Sequence, residues 1–83
     1  NQINKLKNPT LIINGDEDDM CLEVGIFLKR NIPTSGLVIV PKTGHTVNLE
    51  EPSLFNQYIS YFYHAIENDS WLSRDKRAEI ITN

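Results

Sequence analysis

Apolar residues along this chain alternate between short unbroken runs and helical periodicity. After the turn dipeptide Asn8-Pro9, the run Thr10-Leu11-Ile12-Ile13-Asn14 is short, β-branched and apolar on both faces. That is the pattern of a strand covered on both sides in a parallel sheet. Gly15 to Asp19 is polar and reads as a loop. Met20, Val24, Phe27 and Leu28 then recur at i, i+4, i+7 and i+8, which predicts a helix from about Asp19 to Arg30 with these four as its apolar stripe. Acids lead this helix and Lys29-Arg30 close it, matching the helix dipole. Gly25 inside it costs roughly 1 kcal/mol relative to alanine.

Ile32 to Gly36 is a breaker cluster, and Leu37-Val38-Ile39-Val40 is a second all-apolar strand ended by Pro41. Lys42 to Asn48 reads as a loop. Glu50-Glu51-Pro52 carries helix-start signals, acids beside a proline suited to the first helical position. Leu54, Phe55, Tyr58, Ile59, Phe62, Tyr63 and Ile66 then line one broad face of a helix to about Glu67. This is the strongest periodic signal in the chain. Asn68-Asp69-Ser70 reads as a turn, and Trp71 to Asn83 as a polar tail with the start of a further short helix.

The resulting order is strand, helix, strand, helix, which implies parallel strands joined by crossover helices and an α/β sheet. Two parallel strands leave two open edges and cannot bury their apolar faces with two helices alone. The 83 residues are marginal even for a complete core. The economical expectation is that these elements belong to a larger sheet whose earlier strands lie outside the chain, so that it is incomplete as a stand-alone domain.

Composition removes several classes. A net charge of −3 supplies no basic field for nucleic acid and no polybasic patch for a membrane surface. The longest apolar runs, Leu11 to Ile13 and Leu37 to Val40, fall far short of a membrane span. The single cysteine, Cys21, excludes an intramolecular disulfide and any cysteine-based zinc site, and reads as a small buried filler. No signal-peptide pattern opens the chain, which leaves localisation open with the cytoplasm favoured.

Chemistry concentrates in the loops that follow the two strands, where ligands sit in open parallel sheets. The first loop offers Asp16, Glu17, Asp18 and Asp19, and the second offers Gly44-His45. If the strands are neighbours, His45 can approach one of these acids. A carboxylate there fixes the imidazole tautomer and stabilises the imidazolium when His45 takes a proton. The acidic cluster lacks the glycine and distal glutamate of an EF-hand, so it predicts no metal. No cofactor motif is present. His64, near the end of the last helix, suits the dipole rather than catalysis.

At these residues a family resemblance becomes specific. Pro9 to Asp18, a strand ending in Gly15-Asp16-Glu17-Asp18, resembles the α/β-hydrolase segment in which a strand ends in Gly-x-x-Asp. Gly44-His45-Thr46-Val47-Asn48-Leu49-Glu50-Glu51-Pro52 resembles that family's Gly-His-x-x-x-x-Glu-x-Pro segment. The resemblance covers about residues 9 to 66, with a weaker echo in Trp71-Leu72-Ser73-Arg74-Asp75. It implies that Asp18 is the triad acid, with Asp16 the runner-up, and that His45 is the base. Their 27-residue separation leaves room for one helix and one strand, and the acid precedes the histidine as the family's chain order requires.

The departures define the remaining expectations. No Gly-x-Ser-x-Gly elbow frames Ser35, Ser53, Ser60, Ser70, Ser73 or Cys21. Residues 1–83 are therefore expected to be the C-terminal part of one α/β-hydrolase domain, its last two βα units, with 67–83 as a tail. The serine nucleophile and the oxyanion hole are expected upstream, and the chain alone to be inactive. The implied activity is hydrolysis of a small-molecule ester, thioester or related acyl substrate by a Ser-His-Asp triad. The alternative is a non-catalytic α/β-hydrolase-like fragment or a binding module. The expected partner besides substrate is the remainder of the same domain.

Overall fold

A computed structural model describes Lys5 and residues 7–74. Strand β1 (Thr10–Gly15) pairs in parallel with β2 (Ser35–Val40), in the register Thr10 to Ser35 through Gly15 to Val40. Between them runs helix α1 (Asp19–Asn31), and after β2 come a short helix α2 (Val47–Glu50) and helix α3 (Pro52–Glu67). The architecture is α/β, β-α-β followed by helix, as the alternation of patterns predicts. The short helix expected beyond Trp71 falls on residues 75–83, outside the described residues, as does Asp75. Residues 71–74 are not helical.

Of the four residues expected to seat α1 on the sheet, Leu28 faces inward and the other three face outward. Met20, Val24 and Phe27 are 83%, 56% and 50% exposed. The inward line is Cys21, Gly25, Leu28 and Ile32, at the same helical spacing, and Gly25 is the buried residue of the helix. The physical reason is close approach: a Cβ on Gly25 would overlap the Asn14 side chain on β1. Glycine contributes nothing to a hydrophobic pattern, so its role as the contact point is invisible until the elements dock. Beyond α1, Ser35 ties its end to β2. The Ser35 hydroxyl donates to the Ile32 carbonyl at 2.7 Å, and Lys29 Nζ donates to the Ser35 carbonyl at 2.9 Å.

Two further departures follow from packing. The loop expected over residues 42–48 already winds into α2 at Val47, whose side chain is buried. Pro52 then starts a separate helix, because proline forces the preceding residue out of the α region and Glu51 sits at φ −133°, ψ 66°, outside it. On α3, Leu54, Phe55, Ile59, Phe62 and Ile66 are half-buried and Ala65 is buried, whereas Tyr58 and Tyr63 of the expected apolar face are exposed.

Trp71 mediates between α3 and the sheet. Its ring packs edge-on against Phe62, with centroids 4.8 Å apart, and lies where a Cβ on Gly36 would stand. Its indole N–H donates to the Thr34 carbonyl at 2.7 Å. Beside it, Leu11, Leu37, Tyr58 and Tyr61 help line an apolar groove of about 350 Å³. Among the described residues the buried apolar core is thin: Ile32, Val40, Val47 and Ala65.

Candidate active site

Parallel pairing puts the loops after β1 and β2 side by side at the carboxyl ends of the strands. Two backbone–backbone hydrogen bonds and one to a side chain weld them. Asp16 N–H donates to Val40 O at 3.0 Å, Glu17 N–H to Thr43 O at 2.9 Å, and Thr43 N–H reaches Asp16 Oδ1 at 3.4 Å. Gly15 makes this approach possible, since any Cβ there would overlap the carbonyl oxygens of Thr43 and Gly44. The turn at Pro41-Lys42 puts Lys42 at φ 55°, a left-handed conformation costly for a residue with a Cβ. The chain thus bends sharply back towards β1 before it reaches His45.

The consequence is a short contact between residues 27 apart: His45 Nδ1 lies 2.7 Å from Asp18 Oδ2. A carboxylate only accepts, so Nδ1 carries a proton and donates, and in the neutral ring the lone pair is then on Nε2. Asp18 is sheltered, its side chain 17% exposed, while the His45 ring is 76% exposed. The His45 hydrogen bond holds the Asp18 carboxyl below its ordinary value, against an opposing effect of burial, and the Cys21 thiol lowers it further. Asp18 occupies the N-cap position of α1, yet its side chain makes no capping hydrogen bond. Its carboxylate is turned towards His45 instead, giving up a contact worth about 1 kcal/mol at an ordinary N-cap.

Asp16 is placed differently. Its carboxylate meets the Thr43 backbone rather than the imidazole. Glu17 is exposed. The His45 loop is held from its other side by Glu50 of α2. Glu50 Oε1 accepts from Gly44 N–H at 2.9 Å, and Oε2 accepts from Thr46 N–H at 3.2 Å and from the Thr46 hydroxyl at 3.1 Å. The Gly44 N–H, then the Thr46 hydroxyl, pull the Glu50 carboxyl below the usual carboxylate range. His64 lies apart in the last turn of α3, with Glu67 at 3.9 Å on an exposed face.

Two residues of this region escape a reading of the sequence. Thr43 is 1% exposed and its hydroxyl donates to Pro41 O at 2.9 Å; no signal in a polar loop marks it. Cys21, expected as a buried filler, is half-exposed in the first turn of α1, with Sγ 3.7 Å from His45 Nδ1. Its position three residues after Asp18 on a helix start is the signal that would have found it. The hydrogen bond to Asp18 raises the Cys21 thiol above its usual range, with burial adding to this.

The arrangement is an α/β unit whose two strand-end loops hold an ordered carboxylate–imidazole pair. Over 65 residues, 78% of this chain, it is 34% identical to a Bacillus subtilis (strain 168) protein named "Putative 2-succinyl-6-hydroxy-2,4-cyclohexadiene-1-carboxylate synthase", of which that stretch is 24%. Over 62 residues, 74% of the chain, it is 37% identical to "Uncharacterized hydrolase YugF" of the same organism, of which it covers 23%. The chain spans about a quarter of the length of the curated relatives it matches. No family model matches the chain, and no solved structure matches it. Among the described residues no helix is long and apolar enough to cross a membrane.

Proposed function

We propose that this chain is part of an α/β-hydrolase domain in which His45 is the general base and Asp18 the acid that orients it, with a nucleophile supplied by sequence upstream of residue 1. The observation that carries the reading is the Nδ1–Oδ2 contact of 2.7 Å, which engages Nδ1 and not Nε2 with the carboxylate. Its placement at the carboxyl ends of adjacent parallel strands, the resemblance of both loops to α/β-hydrolase segments, and a relative named a hydrolase all support it. The thin core and the two strand edges favour a larger sheet that completes the domain.

In this reading Nε2 takes the proton of an upstream serine hydroxyl as its oxygen attacks an ester or thioester carbonyl. The imidazolium is stabilised by Asp18 and then gives that proton to the leaving alcohol or thiol. Water repeats the sequence on the acyl-enzyme and releases the acid.

The test uses the protein with its upstream sequence and a p-nitrophenyl ester. His45→Ala lowers turnover by at least about a thousandfold while the circular dichroism spectrum is retained. Wild-type-like turnover in that variant would sink the assignment. The name of the other relative favours a second reading, a carboxylate synthase working through the same pair. Loss of synthase turnover in His45→Ala, together with absent ester cleavage in the wild type, would favour it.

A further inference from the structure

The site holds a third donor that general-base chemistry does not use. Asp18, Cys21 and His45 each present one ligand atom, a carboxylate oxygen, Sγ and Nδ1, and these atoms all lie within 4.8 Å of one another. They come from three places in the chain: the loop after β1, the first turn of α1, and the loop after β2. The single cysteine was expected to exclude any cysteine-based zinc site, but a mixed oxygen, sulfur and nitrogen set needs only one, so this proposal departs from that expectation.

We propose that Asp18, Cys21 and His45 form a binding site for one borderline-soft divalent cation, zinc above all, and that filling it disarms the Asp18–His45 pair. The disarming step rests on the function proposed above; the site itself does not.

Geometry and donor chemistry both favour zinc. Zinc takes thiolate at about 2.3 Å and imidazole at about 2.0–2.1 Å in a tetrahedron, which sets S···N near 3.6 Å. The Sγ–Nδ1 separation is 3.7 Å. A tetrahedral N···O pair sits at about 3.4 Å, whereas Nδ1 and Oδ2 are 2.7 Å apart because a proton bridges them. The cation replaces that proton, and the pair opens by about 0.7 Å, within the reach of the exposed His45 ring. Magnesium and calcium prefer all-oxygen shells of six or more ligands, which this set does not offer. A thiolate and a carboxylate neutralise the cation's two charges, and water takes the fourth position.

Binding has a defined proton balance. The Cys21 thiol proton leaves to solvent. The metal takes the Nδ1 lone pair, so the ring proton moves by solvent exchange from Nδ1 to Nε2. An Nε2–H has no lone pair with which to accept a proton. One cation therefore removes both the orienting hydrogen bond and the base.

The test is a cobalt(II) titration of the protein with its upstream sequence, under reducing conditions, followed by zinc. The expected result is one equivalent of cobalt with a thiolate-to-cobalt charge-transfer band and tetrahedral visible bands, both abolished as zinc displaces it. Cys21→Ser loses the charge-transfer band and binds at least about a hundredfold more weakly, and His45→Gln, with an intact thiol, weakens binding at least about tenfold. Absence of the band in the wild type, or equal affinity in either folded variant, would overturn the site. With upstream sequence present, saturating zinc abolishes ester hydrolysis and a chelator restores it. Hydrolysis that continues at full occupancy overturns the disarming step. A metal-free protein without hydrolysis counts against the proposed function alone, and the cobalt spectrum still decides the site.

Discussion

Gly15 of β1 lies so close to the Thr43 and Gly44 carbonyls that no side chain fits between them, at the point where the loops carrying Asp18 and His45 run side by side. The obstructing atoms are backbone, which cannot rotate aside. Gly15→Ala therefore pushes the strand-end loops apart and costs about 1–3 kcal/mol in stability, as overpacking does. Urea unfolding followed by circular dichroism measures it. A variant as stable as the wild type would show that the loops are not in register as described.

Acid should weaken the fold through Asp18 and Glu50. Both carboxyls are held below their unfolded values of 3.8 and 4.5, Asp18 by His45 first and Glu50 by the Gly44 N–H first. A depressed carboxyl contributes stability that is present above its unfolded value and lost as pH falls through its folded value, because the unfolded chain binds more protons there. The loss begins below about pH 4.5 and completes below the depressed values. Unfolding midpoints in urea measured downwards from neutral pH should fall along this limb. In the doubly substituted Asp18→Asn, Glu50→Gln protein the limb should be shallower; an identical slope would remove these two groups as its cause.

Glu50 is a positioning residue for His45. Glu50→Gln keeps one acceptor oxygen but replaces the other with a donor, facing the N–H groups and hydroxyl that Glu50 now accepts. The loop loosens, and a base displaced by a fraction of an ångström loses rate steeply. Turnover should drop about tenfold or more with substrate affinity little changed. Glu50→Asp, which keeps both acceptors on a shorter stem, should recover part of the rate. An unchanged rate in Glu50→Gln would mean that Thr43 and the β1 loop suffice to hold His45.

Trp71 should matter more to stability than its place near the chain's polar tail suggests. Trp71→Phe removes the indole donor to Thr34 and should cost about 1 kcal/mol. Trp71→Ala also empties the space over Gly36 and beside Phe62, raising the loss to about 3 kcal/mol. Trp71 is the single tryptophan of these 83 residues, so far-ultraviolet circular dichroism, which does not depend on that ring's fluorescence, reports unfolding. Stability unchanged in Trp71→Ala would show that α3 does not dock through this ring.

What the sequence determined by itself was local: two apolar strands, a helix between them, a long amphipathic helix after them, and the polar loops in which acids and a histidine occur. These follow from the period of the hydrophobic pattern and from punctuation at Gly15, Pro41 and Pro52, which act through neighbouring residues alone. Tertiary structure decided the rest, because it depends on groups far apart in the chain. The alternation of elements had implied parallel strands, and the motif had favoured Asp18 over Asp16; the register of the pair then brought the strand-end loops together, with Asp18 on the imidazole and Asp16 on the Thr43 backbone. Close approach at Gly25 turned α1 so that Met20, Val24 and Phe27 face outward and Cys21 faces the His45 loop. No hydrophobic pattern encodes that rotation, since the residue that decides it is the one with no side chain.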